Sequence, residues 1–285
     1  MARTKAISLI QSGELKAELS ELYGYVVKNV QKDALSSSLK SQSYTGSPAA
    51  GSVEFRRFVN SASKEYGTAR AAGKGDKIKA PPVTVNLDAH REIVEECSQF
   101  DLDTFGVGGI MGRRVDDHVL TMVSELDMAF FAAAFASGGG TAFTPASGAG
   151  LPDLLESYIQ TLETVENEYV RGVPRSLMYL ACSPVFYGKI RNLLDTQPNT
   201  SVDNQAENFG MYHGVRVYST IHLPAKANAL LTIDDAIAQP VVSYPYGEPE
   251  KIPLSNDYGV GLFYDYGTKV LTPDLAFTYS EPSAG

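Results

Sequence analysis

The chain has 285 residues, of which 44% are hydrophobic and 20% charged, so it can form one large domain or two modest ones around an ordinary core. Its two cysteines exclude a disulfide framework, and they lack the CxxC spacing of a zinc site. No apolar run approaches the ~18 residues of a membrane-spanning helix, and the first residues lack the apolar stretch of a signal peptide. We therefore expect a soluble protein made in the cytoplasm.

The net charge of −9 is distributed unevenly along the chain. Residues 1–91 hold 14 Lys or Arg and 8 Asp or Glu, a balance of +6, whereas residues 92–285 hold 10 and 25, a balance of −15. A basic extension of this kind suits either nucleic acid or the acidic body of another copy of the chain. The acidic body is itself a poor nucleic-acid binder, because phosphate contact needs clustered Lys and Arg.

An amphipathic helix is predicted over residues 12–32, with Ser12 as its N-cap. It packs either on its own body or on a neighbouring chain, and the sequence leaves both open. The apolar stripe is formed by Leu15, Leu19, Leu22, Val26 and Val30.

A long hairpin is predicted next. Residues 33–52 are rich in Ser, Gly and Pro and are typical of a linker, and strand patterns follow at residues 53–59 and 82–87. The polar, basic connection over residues 60–80 is unusually long for a compact domain. Since a lone hairpin is marginally stable in water, we expect this one to lie on another surface.

A long helix is predicted over residues 114–136, ending in a glycine-rich break that runs to residue 150. Before it, the acidic segment 92–100 is interpreted as a helix and the glycine-rich segment 106–112 as a flexible turn. The break at residues 137–150 is the clearest internal boundary in the sequence.

Beyond the break the pattern is α/β. Helices are predicted over residues 152–169 and 183–194, and strands over residues 176–182, 215–218 and 229–233. Residues 260–280 are interpreted as a closing hairpin that turns at Gly267 and Thr268.

The chemical motifs point to no catalytic, cofactor or metal site. His90, His118, His213 and His222 have no metal-ligand spacing, and we expect His118 to be a surface histidine. Residues 101–104 match the DxDxT pattern of aspartate-nucleophile phosphatases, but that pattern needs a buried strand before it, where we predict a helix. The glycines of residues 106–112 do not fit GxGxxG, and no GxSxG occurs. We therefore expect a protein that is not an enzyme.

The basic residues of the predicted hairpin are the main candidates for subunit contacts. They suit a solvated loop, contact with an acidic neighbour, or nucleic acid, although few aromatic residues are interleaved to stack on bases. Together with Leu15, Leu19, Leu22 and Val26 of the first helix, the interface candidates are Arg56, Arg57, Lys64, Arg70, Lys74, Lys77 and Lys79. We expect roughly the first ninety residues to become ordered only across sibling molecules.

The order of the predicted elements, from arm and basic hairpin to long helix, α/β unit and closing hairpin, resembles the major capsid proteins of tailed bacteriophages, the Hong Kong 97-like fold. Three segments are similar to family motifs: the strand-to-helix junction at residues 180–187, the strand and Leu-Pro pair at 213–224, and the final segment at 263–277. At Arg216 the family usually has proline. The similarity spans residues 53–280.

The resemblance implies an α+β fold in four parts. Residues 1–52 would be an N-terminal arm and residues 53–88 an extended loop over an adjacent subunit. Residues 89–145 and 241–285 would form a peripheral domain with a spine helix, and residues 146–240 an axial domain around five- and six-fold axes.

The resemblance also implies the partners. Many copies would form pentamers and hexamers of an icosahedral shell, assembled in the host bacterial cytoplasm around double-stranded DNA that is bound without sequence specificity. Members with a fused scaffolding region carry roughly a hundred more residues before the loop, so a separate scaffolding protein is implied, as are portal and head-completion proteins, but no cofactor and no membrane. The alternatives are an encapsulin-type nanocompartment shell and, ranked lowest, a cytoplasmic hydrolase that uses Asp101 and Asp103.

Overall fold

The computed structural model describes residues 13–67, 77–196, 210–246, 250–255 and 257–281, and for residues 13–19, 97, 99–113 and 196 it describes the backbone alone. Five helices are found in this described part of the chain: α1 Gly13–Asp33, α2 Leu35–Leu39, α3 Gln99–Phe135, α4 Leu151–Glu163 and α5 Pro184–Thr196. Its strands are β1 Ser52–Arg56, β2 Pro82–Asn86, β3 Ala89–Cys97, β4 Thr141–Ala142, β5 Met178–Cys182, β6 Met211–Tyr212, β7 Val215–Ser219, β8 Ala229–Ile233, β9 Ile237–Ala238, β10 Val241–Tyr244, β11 Glu250–Lys251, β12 Tyr258–Tyr266, β13 Lys269–Val270 and β14 Phe277–Tyr279.

A first antiparallel sheet packs against the long helix α3. Strand β12 lies at its centre and pairs with β3 over nine residues on one side and with β10 and β11 on the other. Alternate residues of β12, among them Val260, Leu262 and Tyr264, are buried against Val119 and Met122 of α3. Every second residue of β12 and the residues at helical spacing on one side of α3 therefore form one apolar layer.

The sequence predictions just before the long helix were wrong. Residues 92–97, interpreted as helix, belong to strand β3, because β12, more than 150 residues further along the chain, supplies a pairing partner over the whole strand. Residues 106–112, interpreted as a turn, are helical, so α3 begins at Gln99 and not near residue 114. Long-range pairing overrode the local pattern in the first case, and helix propagation tolerated the glycines in the second.

The segment Arg114–Phe135 of α3 is long and apolar enough, by composition, to cross a membrane. Half of its most apolar stretch is buried within the protein, as in a core helix. The exposed part of the segment includes Leu120 and Met128.

A second, six-stranded sheet has the order β4–β14–β8–β5–β7–β6. One face, which includes Met178, Leu180 and Cys182, packs against α4 and α5. The other face, which includes Tyr179 and Ala181, packs against the end of α3 and against Leu39 of α2. Because both faces are covered, β5 is buried along its whole length, as its continuous apolar run predicts.

The predicted C-terminal hairpin does not form. After β12 the chain passes Gly267, where a Cβ atom would lie 1.8 Å from the carbonyl oxygen of Asn86. Strand β13 then pairs with β9, and β14 enters the six-stranded sheet between β4 and β8. Residues 267–268 therefore connect β12 to a strand in a different sheet and do not close a hairpin.

The arm packs on its own chain. Helix α1 lies beside α3, with Val26 and Val30 buried against Val115 and Val119. The predicted linker holds the short helix α2, with Leu39 buried beneath the six-stranded sheet. The expectation that the first ninety residues lack a partner in their own molecule is therefore wrong for this part of the arm, because α3 offers it an apolar face.

A buried carboxylate joins the arm to α3. The two oxygens of Asp127 accept hydrogen bonds from the backbone N–H groups of Leu35 (3.2 Å) and Ser36 (2.9 Å), where α1 gives way to α2. Asp127 therefore supplies hydrogen-bond acceptors for two N–H groups at the start of α2, where a helix offers no backbone acceptor of its own.

We expect Asp127→Ala to lower the free energy of unfolding by ~1–3 kcal/mol, because it leaves buried N–H groups without an acceptor. Urea denaturation measures this effect. The matched control is Asp116→Ala on the same helix, where the carboxylate accepts an exposed hydrogen bond from Tyr25, and a change below ~0.5 kcal/mol is expected. Equal effects of the two variants would contradict the assignment.

Candidate assembly surfaces

The predicted hairpin forms, and its base is attached to its own chain. Strands β1 and β2 pair antiparallel from Ser52↔Asn86 to Arg56↔Pro82. Val53, Phe55 and Val85 are buried with Ala238 in a small apolar cluster. The hairpin is thus not a lone pair of strands in water, but one that is attached to the body at its base.

Arg57 continues this attachment. Its guanidinium group lies 2.6 Å from the carboxylate of Asp274 and 4.1 Å from the ring centre of Tyr169. Burial raises the pKa of Asp274, but hydrogen bonds from Arg57 and Asn167 outweigh it, so that the pKa is lowered. The charge of Arg57 is thus matched within its own chain, and its role in contacting a neighbour stays a prediction.

Other basic candidates of the hairpin lie at the surface. Arg56 is exposed and pairs with Glu54 of the same strand at 3.1 Å, an arrangement that contributes little to stability. Lys64, Lys77 and Lys79 are exposed. Two further candidates lie outside the described residues: Arg70 and Lys74.

Apolar side chains accompany these lysines. Phe58, Tyr66 and Ile78 are 62%, 96% and 86% exposed. Ile78, between Lys77 and Lys79, was missed by the sequence analysis, although an apolar residue in a basic connection is a recognisable signal. These three side chains are therefore candidates for contact with a partner, beside the basic residues of the hairpin.

The first helix offers fewer contact residues than its stripe suggested. Val26 is buried within its own chain, so its assignment as an interface residue is corrected, and Leu22 is half-buried against the same core. For Leu15 and Leu19 the structure describes the helical backbone, and their side chains lie outside the described residues.

The outer face of the first sheet is acidic and partly aromatic. Val94 on β3 and Phe263 on β12 are exposed, and Tyr244 of β10 pairs directly with Phe263. Glu92 pairs with Phe263 from the other side, and Glu96 is exposed further along β3. We call this surface the outer sheet face. It combines carboxylates with apolar side chains, whereas the hairpin combines lysines with apolar side chains.

His118 is buried, contrary to the prediction that it is a surface residue. Its Nδ1 atom lies 2.7 Å from the hydroxyl of Tyr246, and its Nε2 atom lies 3.5 Å from a carboxylate oxygen of Glu95. Tyr246 is 128 residues further along the chain, so the helical pattern around His118 could not reveal that this flank is covered.

The remaining predicted chemistry is dispersed. His90 pairs with Asp265 on the first sheet, and His213 pairs with Glu156 of α4. Within the described ranges, no group of three or more His, Cys, Asp or Glu residues could hold a metal ion. The two aspartates of the DxDxT pattern lie in the first turns of α3, and their side chains are outside the described residues: Asp101 and Asp103.

An ion network holds one end of the six-stranded sheet. Arg175 lies 2.6 Å from Glu156 and 2.9 Å from Glu163, both on α4, and His213 lies 3.0 Å from Glu156. The hydrogen bond from Arg175, followed by the one from His213, lowers the pKa of Glu156 from its ordinary 4.5 to about 2. The network ties α4 to the segment just before β5, through Arg175, and to the turn between β6 and β7, through His213.

Because the pKa of Glu156 is lower in the folded state, its ionised form stabilises the fold above about pH 4.5, and this contribution is lost as the pH falls towards 2. We expect Glu156→Gln to flatten the loss of stability over this pH range, as measured by thermal unfolding at several pH values. The exposed Glu166→Gln is the matched control, and an unchanged slope in Glu156→Gln would contradict the role of the network.

Comparisons with known proteins identify the fold. No protein-family model and no curated protein sequence match the chain. Solved structures do match: one of Mycobacterium phage Che8, with a TM-score of 0.58, 16% identity and coverage of 85% of this chain and 93% of the other. The capsid of the cyanophage P-SCSP1u matches with a TM-score of 0.52, 15% identity and coverage of 81% and 83%.

A virus-like particle from Pyrococcus furiosus matches as well, with a TM-score of 0.57, 10% identity and coverage of 91% of this chain and 98% of the other. The likeness therefore covers most of both chains and is not confined to one motif. At these identities it concerns the fold, and the predicted α+β class is confirmed. The chain has the Hong Kong 97-like fold of phage capsid proteins.

Proposed function

We propose that the chain is the major capsid protein of a tailed bacteriophage, a structural subunit that assembles into an icosahedral shell around double-stranded DNA. The observation that carries this proposal is the extent of the match: most of this chain aligns with most of a phage capsid chain, at coverages of 81% and 83%. A shell subunit needs no catalytic pocket, but it needs surfaces that bury area only in the assembly.

The hairpin is the contact we propose between subunits. It bears Arg56, Lys77 and Lys79 together with exposed Phe58 and Ile78. The outer sheet face of a neighbouring copy has the complementary character, since Glu92 and Glu96 flank Val94. Opposite charges would steer the encounter and set the register, and the apolar groups would supply the buried area.

The division of the chain follows the same proposal. Residues 1–52 serve as the arm, 53–88 as the extended loop, 89–145 with 241–285 as the peripheral domain and 146–240 as the axial domain. The strands β4 and β14 come from the segments given to the peripheral domain and lie in the axial sheet, so the two parts share a sheet. The axial part would meet its copies around the five- and six-fold axes.

The partners we propose are other copies of the chain in pentamers and hexamers, a separate scaffolding protein, portal and head-completion proteins, and packaged DNA without sequence-specific contacts. Assembly would take place in the cytoplasm of the host, and the mature protein would reside in the virion. The net charge of −9 suits this role, because an acidic wall repels DNA and lets it slide during packaging.

An encapsulin-type nanocompartment is the second candidate, since the fold of a shell subunit does not by itself define what the shell encloses. We rank it lower because two of the three similar structures are named for phages. The hydrolase that uses Asp101 and Asp103 is not supported by any matching structure described above.

Electron microscopy of the purified protein, alone and with its scaffolding partner, tests the proposal directly. We expect closed shells of uniform size that contain DNA when isolated from infected cells. Shells that hold a cargo protein and no DNA would favour the nanocompartment. Small globular particles at every protein and salt concentration would refute both.

Charge reversal tests the proposed subunit contact. We expect the double variant Lys77→Glu and Lys79→Glu to block shell formation while circular dichroism and thermal unfolding remain unchanged, because both side chains are exposed. The matched control is Lys28→Glu with Lys32→Glu, the same change of charge on exposed positions of α1, which should still assemble. Normal shells from the hairpin variant would refute the contact and leave the shell proposal standing.

A further inference from the structure

The central strand of the first sheet has a position without a side chain on the outer sheet face. Gly259 of β12 pairs with Glu96 of β3 on one side and with Glu250 of β11 on the other. Paired residues of neighbouring strands carry their side chains on the same face. That face is the outer one, because the next residue along β12, Val260, is buried towards α3. Two exposed carboxylates therefore flank a gap in the sheet surface.

The described part of the chain gives no reason for a glycine at this position. A Cβ atom added to Gly259 would have no described atom within 4 Å, and its φ angle is not in the left-handed region. Gly261 is different, because the ring of Phe263 lies 2.9 Å from the place of its Cβ atom. A glycine inside a strand weakens the strand and often marks a place where another chain approaches closely. The space above Gly259 is thus an open notch.

The carboxylates beside the notch lack the ion pairs that occur on the inner face. Glu95 of β3 points inwards and lies 2.6 Å from Arg114 of α3. Among the described residues, no ion pair involves Glu96 or Glu250, and both are exposed. Their negative charges are therefore available to a basic partner.

The hairpin carries a segment of complementary character. Lys77 and Lys79 are exposed, and neither forms an ion pair with any residue in the described ranges. Ile78 lies between them and is 86% exposed. A lysine, an apolar residue and a lysine along this segment therefore match a glutamate, a gap and a glutamate across the sheet.

The hairpin of the same chain is held elsewhere. The N–H group of Val59 donates to the carbonyl oxygen of Lys79 at 3.0 Å, and the N–H group of Asn60 donates to the carbonyl oxygen of Glu168, beyond α4, at 2.9 Å. These bonds place this part of the hairpin beside the segment that follows α4 and leave Ile78 exposed. A hairpin segment that fills the notch therefore comes from a second copy.

We propose that the notch above Gly259 receives Ile78 of a second copy, whose Lys77 and Lys79 pair with Glu96 and Glu250. The Cα atoms of the two lysines are at most about 7 Å apart, and the two glutamates, which lie two strands apart, are separated by about 10 Å. The long lysine side chains span the difference. The inference rests on the proposed function and specifies how the hairpin meets the outer sheet face.

The variant Gly259→Val tests the notch. A Cβ atom has room there and valine suits a strand, so the melting temperature should not fall. We expect the protein concentration needed for assembly to rise at least about tenfold, because the filled notch excludes Ile78. The matched control is Ala142→Val, at an exposed strand position of the other sheet, which should assemble normally. Normal assembly of Gly259→Val, or an equal loss in the control, would overturn the proposal.

Exchange of the charges tests the lysine pairs. The double variant Glu96→Lys and Glu250→Lys should block assembly, and the addition of Lys77→Glu and Lys79→Glu should restore it. The control adds Lys28→Glu and Lys32→Glu instead and should not restore assembly. Failure of the fourfold exchange to assemble, or equal rescue by the control, would contradict the pairing.

A disulfide between copies gives a readout that does not need shells. We expect Ile78→Cys with Gly259→Cys to yield covalently linked chains in concentrated, mildly oxidised protein, with the joined 78–259 peptide identified by mass spectrometry. The control pair, Ile78→Cys with Ala142→Cys, should give no joined peptide. Wild-type shells without a 78–259 link in the variant would overturn this contact and leave the proposed function standing. Linked chains from a protein that never forms shells would support the contact and refute the shell.

Discussion

The packing of α3 is the constraint on which the rest of the structure depends. A helix of 37 residues is about 55 Å long, far longer than any one sheet or helix can cover. Its apolar side is buried by α1 from the start of the chain, by β12 from near the end and by the six-stranded sheet beyond Phe130. Segments distant in sequence thus pack on one helix.

This packing bears on the proposed assembly. The sequence suggested that the N-terminal helix has no packing partner in its own chain, but α3 buries its apolar side. The hairpin beyond Arg57, where Phe58 and Ile78 lie among lysines, and the outer sheet face around Val94 stay exposed, and they are the surfaces that we propose for contact with a neighbour. In the proposed shell, these surfaces would gain buried area only on assembly.

Buried polar groups lie at the junctions between these elements. Asp127 joins the start of α2 to α3, and Arg57 joins the hairpin to the body through Asp274. Hydrogen bonds have strict geometry, so such groups specify how apolar layers meet, which burial alone does not.

Local patterns determined much of the fold by themselves: the helix stripe of α1, the hairpin strands, the apolar run of β5 and the strand Ala229–Ile233 were all predicted, because spacing along the chain decides which face is apolar. Only the tertiary structure decided that residues 92–97 are a strand, that β14 joins the six-stranded sheet, and that Val26 and His118 are buried. Each of these depends on a partner more than 40 residues away, and no local pattern records where such a partner lies.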